Sequence, residues 1–126
     1  MSDRTFTALG NQAQPNRDLE TFATPANVHR VELDYDEFTS LCAETGQPDF
    51  ATVKIVMVPA ALCLESKSLK LYFQTYRNES LFAEDAAAQI CADLFRAAQP
   101  VWCEVTVCQK RRGGIAINAS ARKVGK

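Results

Sequence analysis

A single histidine, His29, serves the whole 126-residue chain, and that scarcity excludes a good deal. Metal centres built on several imidazoles have too little to draw on, and so do Ser-His and Cys-His catalytic pairs. Acid–base chemistry must fall to carboxylates, or to a Tyr or Lys. His29 reads as a solvent-facing residue at the start of a strand. Cysteine occurs five times, an odd count, but never as Cys-x-x-Cys or in a zinc-type spacing with His. That usage fits free thiols in a reducing compartment. No apolar run approaches the length of a membrane span, and Met1-Ser2-Asp3-Arg4-Thr5-Phe6 lacks a signal-peptide core. The expected address is the cytoplasm, with no membrane partner. Glycine and proline are few, at five each. The length suits one hydrophobic core and is short of two.

Charge of one sign is missing from one end. Lys110 to Lys126 holds six basic side chains and no acidic one, whereas residues 1–50 hold nine acidic and three basic. The basic end reads either as a solvated tail or as a site for a phosphorylated ligand. A net charge of only −1 argues against tight sequence-independent nucleic-acid binding.

What is present is a clear alternation of elements. Residues 1–27 contain Pro15 and Pro25, show no sustained period and read as an extended N-terminal arm, with Thr7 to Gln12 as a possible anchor. Residues 28–126 read as a single domain. His29 to Asp36 alternates, with Val31, Leu33 and Tyr35 on one face, as a half-buried strand does. Phe50 to Val58 forms a second strand, ended by Pro59. Leu64 to Asn78 has an ambiguous period, and its one β-branched residue favours helix. Asn78 or Ser80 can cap the next helix, whose stripe is Ala87, Ile90, Cys91, Leu94, Phe95 and Ala98. Glu84 and Asp85 lie near its N-terminus, and Pro100 ends it. Val101 to Gln109 alternates again, and Arg112-Gly113-Gly114 turns the chain into a short last strand, Ile115 to Asn118. The order strand-strand-helix-helix-strand-strand predicts an α+β layer of four antiparallel strands with both helices on one face. Its unpaired edges invite assembly into a closed oligomeric barrel.

The chemistry points to Phe38-Thr39-Ser40-Leu41-Cys42 and the turn after it. Thr45-Gly46-Gln47-Pro48 leads back toward Asp49, because Gly accepts a positive φ and Pro fixes its own. Such a turn brings a thiol and a carboxylate to one point. A thiolate can then attack carbon while the carboxyl group handles the proton.

Three stretches together resemble the NADPH-dependent 7-cyano-7-deazaguanine reductases, the nitrile reductases of queuosine biosynthesis, a tRNA modification. They are the Cys42–Asp49 region through Phe50-Ala51, the octet Glu65-Ser66-Lys67-Ser68-Leu69-Lys70-Leu71-Tyr72, and Arg112-Gly113-Gly114-Ile115. Thr7-Ala8-Leu9-Gly10-Asn11-Gln12 is similar to the family's N-terminal segment. The resemblance implies the tunnelling fold, closed rings of subunits and active sites between neighbouring chains. It implies Cys42 as the nucleophile that forms a thioimide with the nitrile, and Asp49 as the group that carries the proton. Glu84 would accept the N1–H and 2-amino edge of the deazaguanine. Leu64, Glu65, Ser66 and position 83 would line the substrate, and Lys67, Lys70 and Arg112 would meet the NADPH phosphates.

One position departs from the family pattern. His-Glu is usual where this chain has Ala83-Glu84, and the departure falls on the hydride steps rather than on the nucleophile. Two other readings share the pocket. An amidinotransferase would let ammonia attack the same thioimide, as archaeal relatives do on deazaguanine in tRNA, but those relatives lose the Lys-rich octet that this chain keeps. A non-catalytic deazapurine- or pterin-binding ring suits Ala83 and not the intact Cys42 and Asp49.

Overall fold

A computed structural model describes residues 14–126, so the Thr7 to Gln12 anchor lies outside the described residues. In chain order the elements are β1 (Thr21–Ala23), β2 (Val31–Leu41), β3 (Pro48–Val58), β4 (Leu62–Leu64), α1 (Ser66–Gln74), α2 (Ala83–Ala98), β5 (Trp102–Arg112) and β6 (Ile115–Val124). β2, β3, β5 and β6 form one antiparallel sheet in that spatial order, so β2 and β6 are its edges. The expected α+β layer is present. α1 packs on β2, and α2 on β5 and β6.

Alternation places the core. Ala51, Val53, Ile55 and Met57 of β3 are buried on the helix side, as are Cys103, Val105 and Val107 of β5. The α2 stripe Ala87, Ile90, Cys91, Leu94, Phe95 and Ala98 closes over them, as its helical spacing predicted. On α1, Phe73 stacks on Tyr35 with ring centroids 4.6 Å apart. Below it the Tyr72 hydroxyl donates to Asp93 Oδ2 at 2.7 Å, and the Tyr72 and Tyr76 oxygens lie 2.8 Å apart. Burial holds the Tyr72 phenol far above its ordinary range and pushes that of Tyr76 up to about 12, so both remain protonated donors.

Several boundaries differ from the sequence expectation, each for a local reason. Part of the supposed arm is β1, which pairs antiparallel with β4 from Thr21↔Leu64 to Ala23↔Leu62. Arg17 adds to this tether by lying 4.2 Å over the Tyr76 ring and pairing with Glu79. The segment from Leu64 is not all helix: β4 ends at Leu64, and Glu65 caps α1 from outside. α2 starts at Ala83 behind Phe82, without a side-chain cap from Asn78 or Ser80. The backbone just before it is committed elsewhere. Leu41 N–H donates to Glu79 O at 2.8 Å, and Leu81 N–H donates to Leu41 O at 3.3 Å. The last strand runs on from Asn118 to Val124, so Arg122 and Lys123 belong to the sheet rather than to a tail. His29 is exposed, just ahead of β2. No helix among the described residues is long and apolar enough to cross a membrane.

Candidate active site

Two β-bulges decide which side chains meet at one end of the sheet. Along β2, Tyr35 pairs with Val53, but Phe38 pairs with Ala51, so Asp36 and Glu37 take up one extra residue. The inward face therefore passes from odd to even positions. Phe38 and Ser40 are buried, and Ser40 stands opposite Asp49. Cys42 lies two positions beyond Ser40. In a regular ladder it would follow the solvent face. β5 repeats the device, since Gln109 pairs with Ile117 but Arg112 pairs with Ile115, with Lys110 and Arg111 bulged between them. Arg112 thereby joins the helix-side face, where a regular ladder would place Arg111. Straight β3 between them carries Asp49, which is buried at 7% exposure.

The turn after β2 is tight. Cys42 N–H donates to Gln47 O at 2.7 Å, and Gly46 N–H donates back to Cys42 O at 2.9 Å. Gly46 has φ of 73°, the left-handed conformation that glycine adopts without strain. The Thr45 hydroxyl, and then the backbone N–H groups of Thr45 and Glu44, hold the partly exposed Cys42 thiol below its ordinary range. Asp49 works in the opposite direction on the same thiol and is the smaller influence. Thr45 lies inside the quoted turn, but sequence reasoning did not single it out as a partner of the thiol.

Asp49 in turn meets Arg112. The guanidinium pairs with Asp49 Oδ1, donates to Pro48 O at 3.2 Å and donates to Gln47 Oε1 at 2.6 Å. Ala83 and Glu84 are tied to this end because Ser80 bridges to Leu41. Ala83 is buried and Glu84 exposed in the first turn of α2.

The octet stands elsewhere. Glu65 accepts from Ser68 N–H at 2.7 Å and from Lys67 N–H at 2.8 Å, so both carboxylate oxygens cap α1. Leu64 is buried in the core, whereas Ser66, Lys67 and Lys70 are exposed. Ser66 and Lys70 share a cleft with Leu33, Asp34 and Ile55. Ile55 is six residues from Asp49 along β3, roughly 20 Å of strand. One chain thus brings together Cys42, Thr45, Asp49 and Arg112, starts α2 with Ala83 and Glu84 shortly after the Leu41–Ser80 bridge, and places Ser66 and Lys70 in a separate cleft. Among the described residues no group of three or more His, Cys, Asp or Glu side chains can hold a metal ion.

The sequence model of the QueF-like protein family matches residues 48–126. The chain belongs to that family. The match begins at Pro48, beyond Cys42, but pairwise similarity reaches further. The NADPH-dependent 7-cyano-7-deazaguanine reductase of Syntrophus aciditrophicus (strain SB) is 47% identical over 118 residues, covering 92% of this chain and 84% of that one. The enzyme of the same name from Frankia casuarinae is also 47% identical, over 117 residues, covering 92% and 94%. That from Anaeromyxobacter sp. (strain K) is 46% identical over 111 residues, covering 86% and 91%. The crystal structure of the archaeosine synthase QueF-Like in the apo form superposes with a TM-score of 0.73. At 21% identity, over 79% of this chain and 98% of that one, it establishes the QueF-like fold alone. This is the tunnelling fold expected from the resemblance.

Proposed function

We propose that this chain reduces the nitrile of 7-cyano-7-deazaguanine to the aminomethyl group, with NADPH as reductant, through a thioimide on Cys42. The observation that carries the reading is Cys42 set close enough to Asp49, across the tight turn, for the carboxylate to act on its thiol, in a chain close to half identical to reductases of that name. The Cys42 S–H proton passes to Asp49 as the sulfur bonds to the nitrile carbon. One C≡N π pair moves to nitrogen, which takes that proton from Asp49, and the carboxylate is restored. Thr45 lowers the cost of the thiolate. Glu84, exposed beside this end, accepts the N1–H and 2-amino edge of the base. Lys67 and Lys70 stand one turn apart on α1, exposed and without an ion-pair partner among the described residues, which suits them to the cofactor phosphates. When bound, NADPH supplies hydride to the carbon–nitrogen bond, two hydrides in all. The test is NADPH oxidation with free 7-cyano-7-deazaguanine, with the aminomethyl product expected at one per two NADPH. Product without NADPH loss but with ammonia uptake would replace reduction by amidine formation, and binding without either would leave only a deazapurine-binding ring.

We infer that the working unit is a ring of more than two subunits, and that Ser66, Lys67 and Lys70 act on a neighbour's Cys42, given that Ser66 and Lys70 line a cleft with Ile55, which lies six residues, roughly 20 Å of strand, from Asp49 in one chain. Charge on the free edges favours head-to-tail joining. β2 carries Glu32, Asp34, Asp36 and Glu37 with no basic residue, and β6 carries Arg122 and Lys123 with no acidic one. An antiparallel join sets the acidic half of β2 against the basic half of β6, while two β2 edges would repel. Light scattering at micromolar concentration is expected to show an assembly larger than a dimer. Arg122→Glu with Lys123→Glu should break it, and adding Glu32→Lys with Asp34→Lys should restore it. A stable native monomer would remove both the ring and the shared site.

A further inference from the structure

Arg112 is expected from sequence to neutralise cofactor phosphate, yet its guanidinium is committed inside its own chain. It reaches Gln47, Pro48 and Asp49 in succession, with the ion pair on Asp49 Oδ1. Asp49 Oδ2 makes no hydrogen bond among the described residues. The β5 bulge puts Arg112, and not Arg111, in place for this, and Arg111 Nη1 instead donates to Gly114 O at 2.7 Å. We infer that Arg112 is the positioning residue of the acid–base pair. It holds Asp49 by Oδ1 and leaves Oδ2 free to take the Cys42 proton. The inference deepens the nitrile-reductase reading and rests on it for the identity of the substrate.

Other charged groups surround this end. Glu44 lies in the turn, Lys110 and Arg111 in the bulge of β5, and Glu84 and Asp85 at the start of α2, while Glu79 is paired with Arg17. Among the described residues only Arg112 makes an ion pair with Asp49. The reactive form of the pair holds one proton between thiol and carboxylate, so adduct formation should follow a bell-shaped pH profile. Removing an adjacent cation makes the pair hold its protons more tightly, and both limbs then move to higher pH.

The experiment measures thioimide formation against pH by intact mass, and the NADPH KM, for the native chain, Arg112→Lys and Arg112→Gln. In parallel, the rate of Cys42 alkylation by iodoacetamide is followed against pH by peptide mass spectrometry, with no nucleobase present. Arg112→Gln should move the bell to higher pH, read as a loss of about 10-fold on the acidic limb. Arg112→Lys should keep the native bell, and the NADPH KM should be unchanged in both. The alkylation midpoint should move up in Arg112→Gln, and not when Asp49→Asn is already present. A rate lost evenly at every pH would make Arg112 a structural tether. A raised NADPH KM with the bell unmoved would return it to the cofactor. Either result overturns the inference. If the native chain forms no adduct while the alkylation midpoint still moves in Arg112→Gln, the nitrile reading falls and the role of Arg112 stands. If the midpoint does not move, the inference falls whatever the substrate.

Discussion

Replacing Cys42 with alanine is expected to remove the covalent adduct with 7-cyano-7-deazaguanine and to lower NADPH oxidation by about 10⁴-fold or more, the order of loss on deleting a covalent nucleophile. The substitution is small and lies just outside β2, so the fold should survive it. Intact mass is the direct measurement: the native chain should gain the whole ligand and Cys42→Ala should gain nothing. The remaining thiols are poor substitutes. Cys63, Cys91 and Cys103 are buried. Burial raises the Cys91 thiol and pushes that of Cys103 up to about 12. Cys108 is half-buried, but it falls on the strand positions that alternate away from the helices. An adduct on any of these four would show the site assignment to be wrong.

The second large effect concerns Ala83. On the proposed function Cys42 and Asp49 carry adduct formation, whereas the histidine that the family resemblance implies at position 83 would act beside the bound base, where reduction follows. Ala83→His should therefore leave thioimide formation nearly unchanged and raise NADPH oxidation by a good part of the ~10²–10⁴-fold that one proton-transfer group supplies. The structure adds a cost that the sequence does not show. Ala83 is only 5% exposed and packs with the core, so the larger ring should destabilise the fold by about 1–3 kcal/mol. Thermal melting beside the two rates separates these effects. Full reductase activity in the native chain would mean that another group already moves the proton. No gain from histidine, with the thioimide still forming and the fold intact, would mean that NADPH is not the second substrate.

Where the periodicity is unbroken, the sequence is sufficient. The buried faces of β3 and β5 and the stripe of α2 follow from alternation and helical spacing, because each element packs on one side only. The same reading stops short where the period breaks. Read by alternation alone, β2 ends at Asp36, because the bulge at Asp36 and Glu37 reverses the alternation that would have continued to Leu41. β6 stops early because Ala119, Ala121, Arg122 and Lys123 are poor strand formers held by their ladder to β5. β1 and β4 are three residues each, too short to show a period, and they exist only because they pair. For the site, Cys42 and Asp49 are legible from the turn between them. Arg112 is visible as a cation but not as their neighbour, since its direction depends on a bulge that no spacing rule reveals. Glu65 is likewise visible as a carboxylate, yet capping rather than ligand binding occupies its oxygens within this chain.

Each bulge is also a spare residue. In a chain lacking Lys110 the ladder could close regularly, with Gln109 and Arg112 two positions apart, and the guanidinium would still rise beside Asp49. The same holds for β2 without Asp36, which would keep Phe38, Ser40 and the thiol in their present orientation. A one-residue deletion at either place would therefore keep these side chains on their present face of the sheet. A one-residue gap between Phe38 and Cys42, where the pairing is regular, would turn the nucleophile to the opposite face of the sheet.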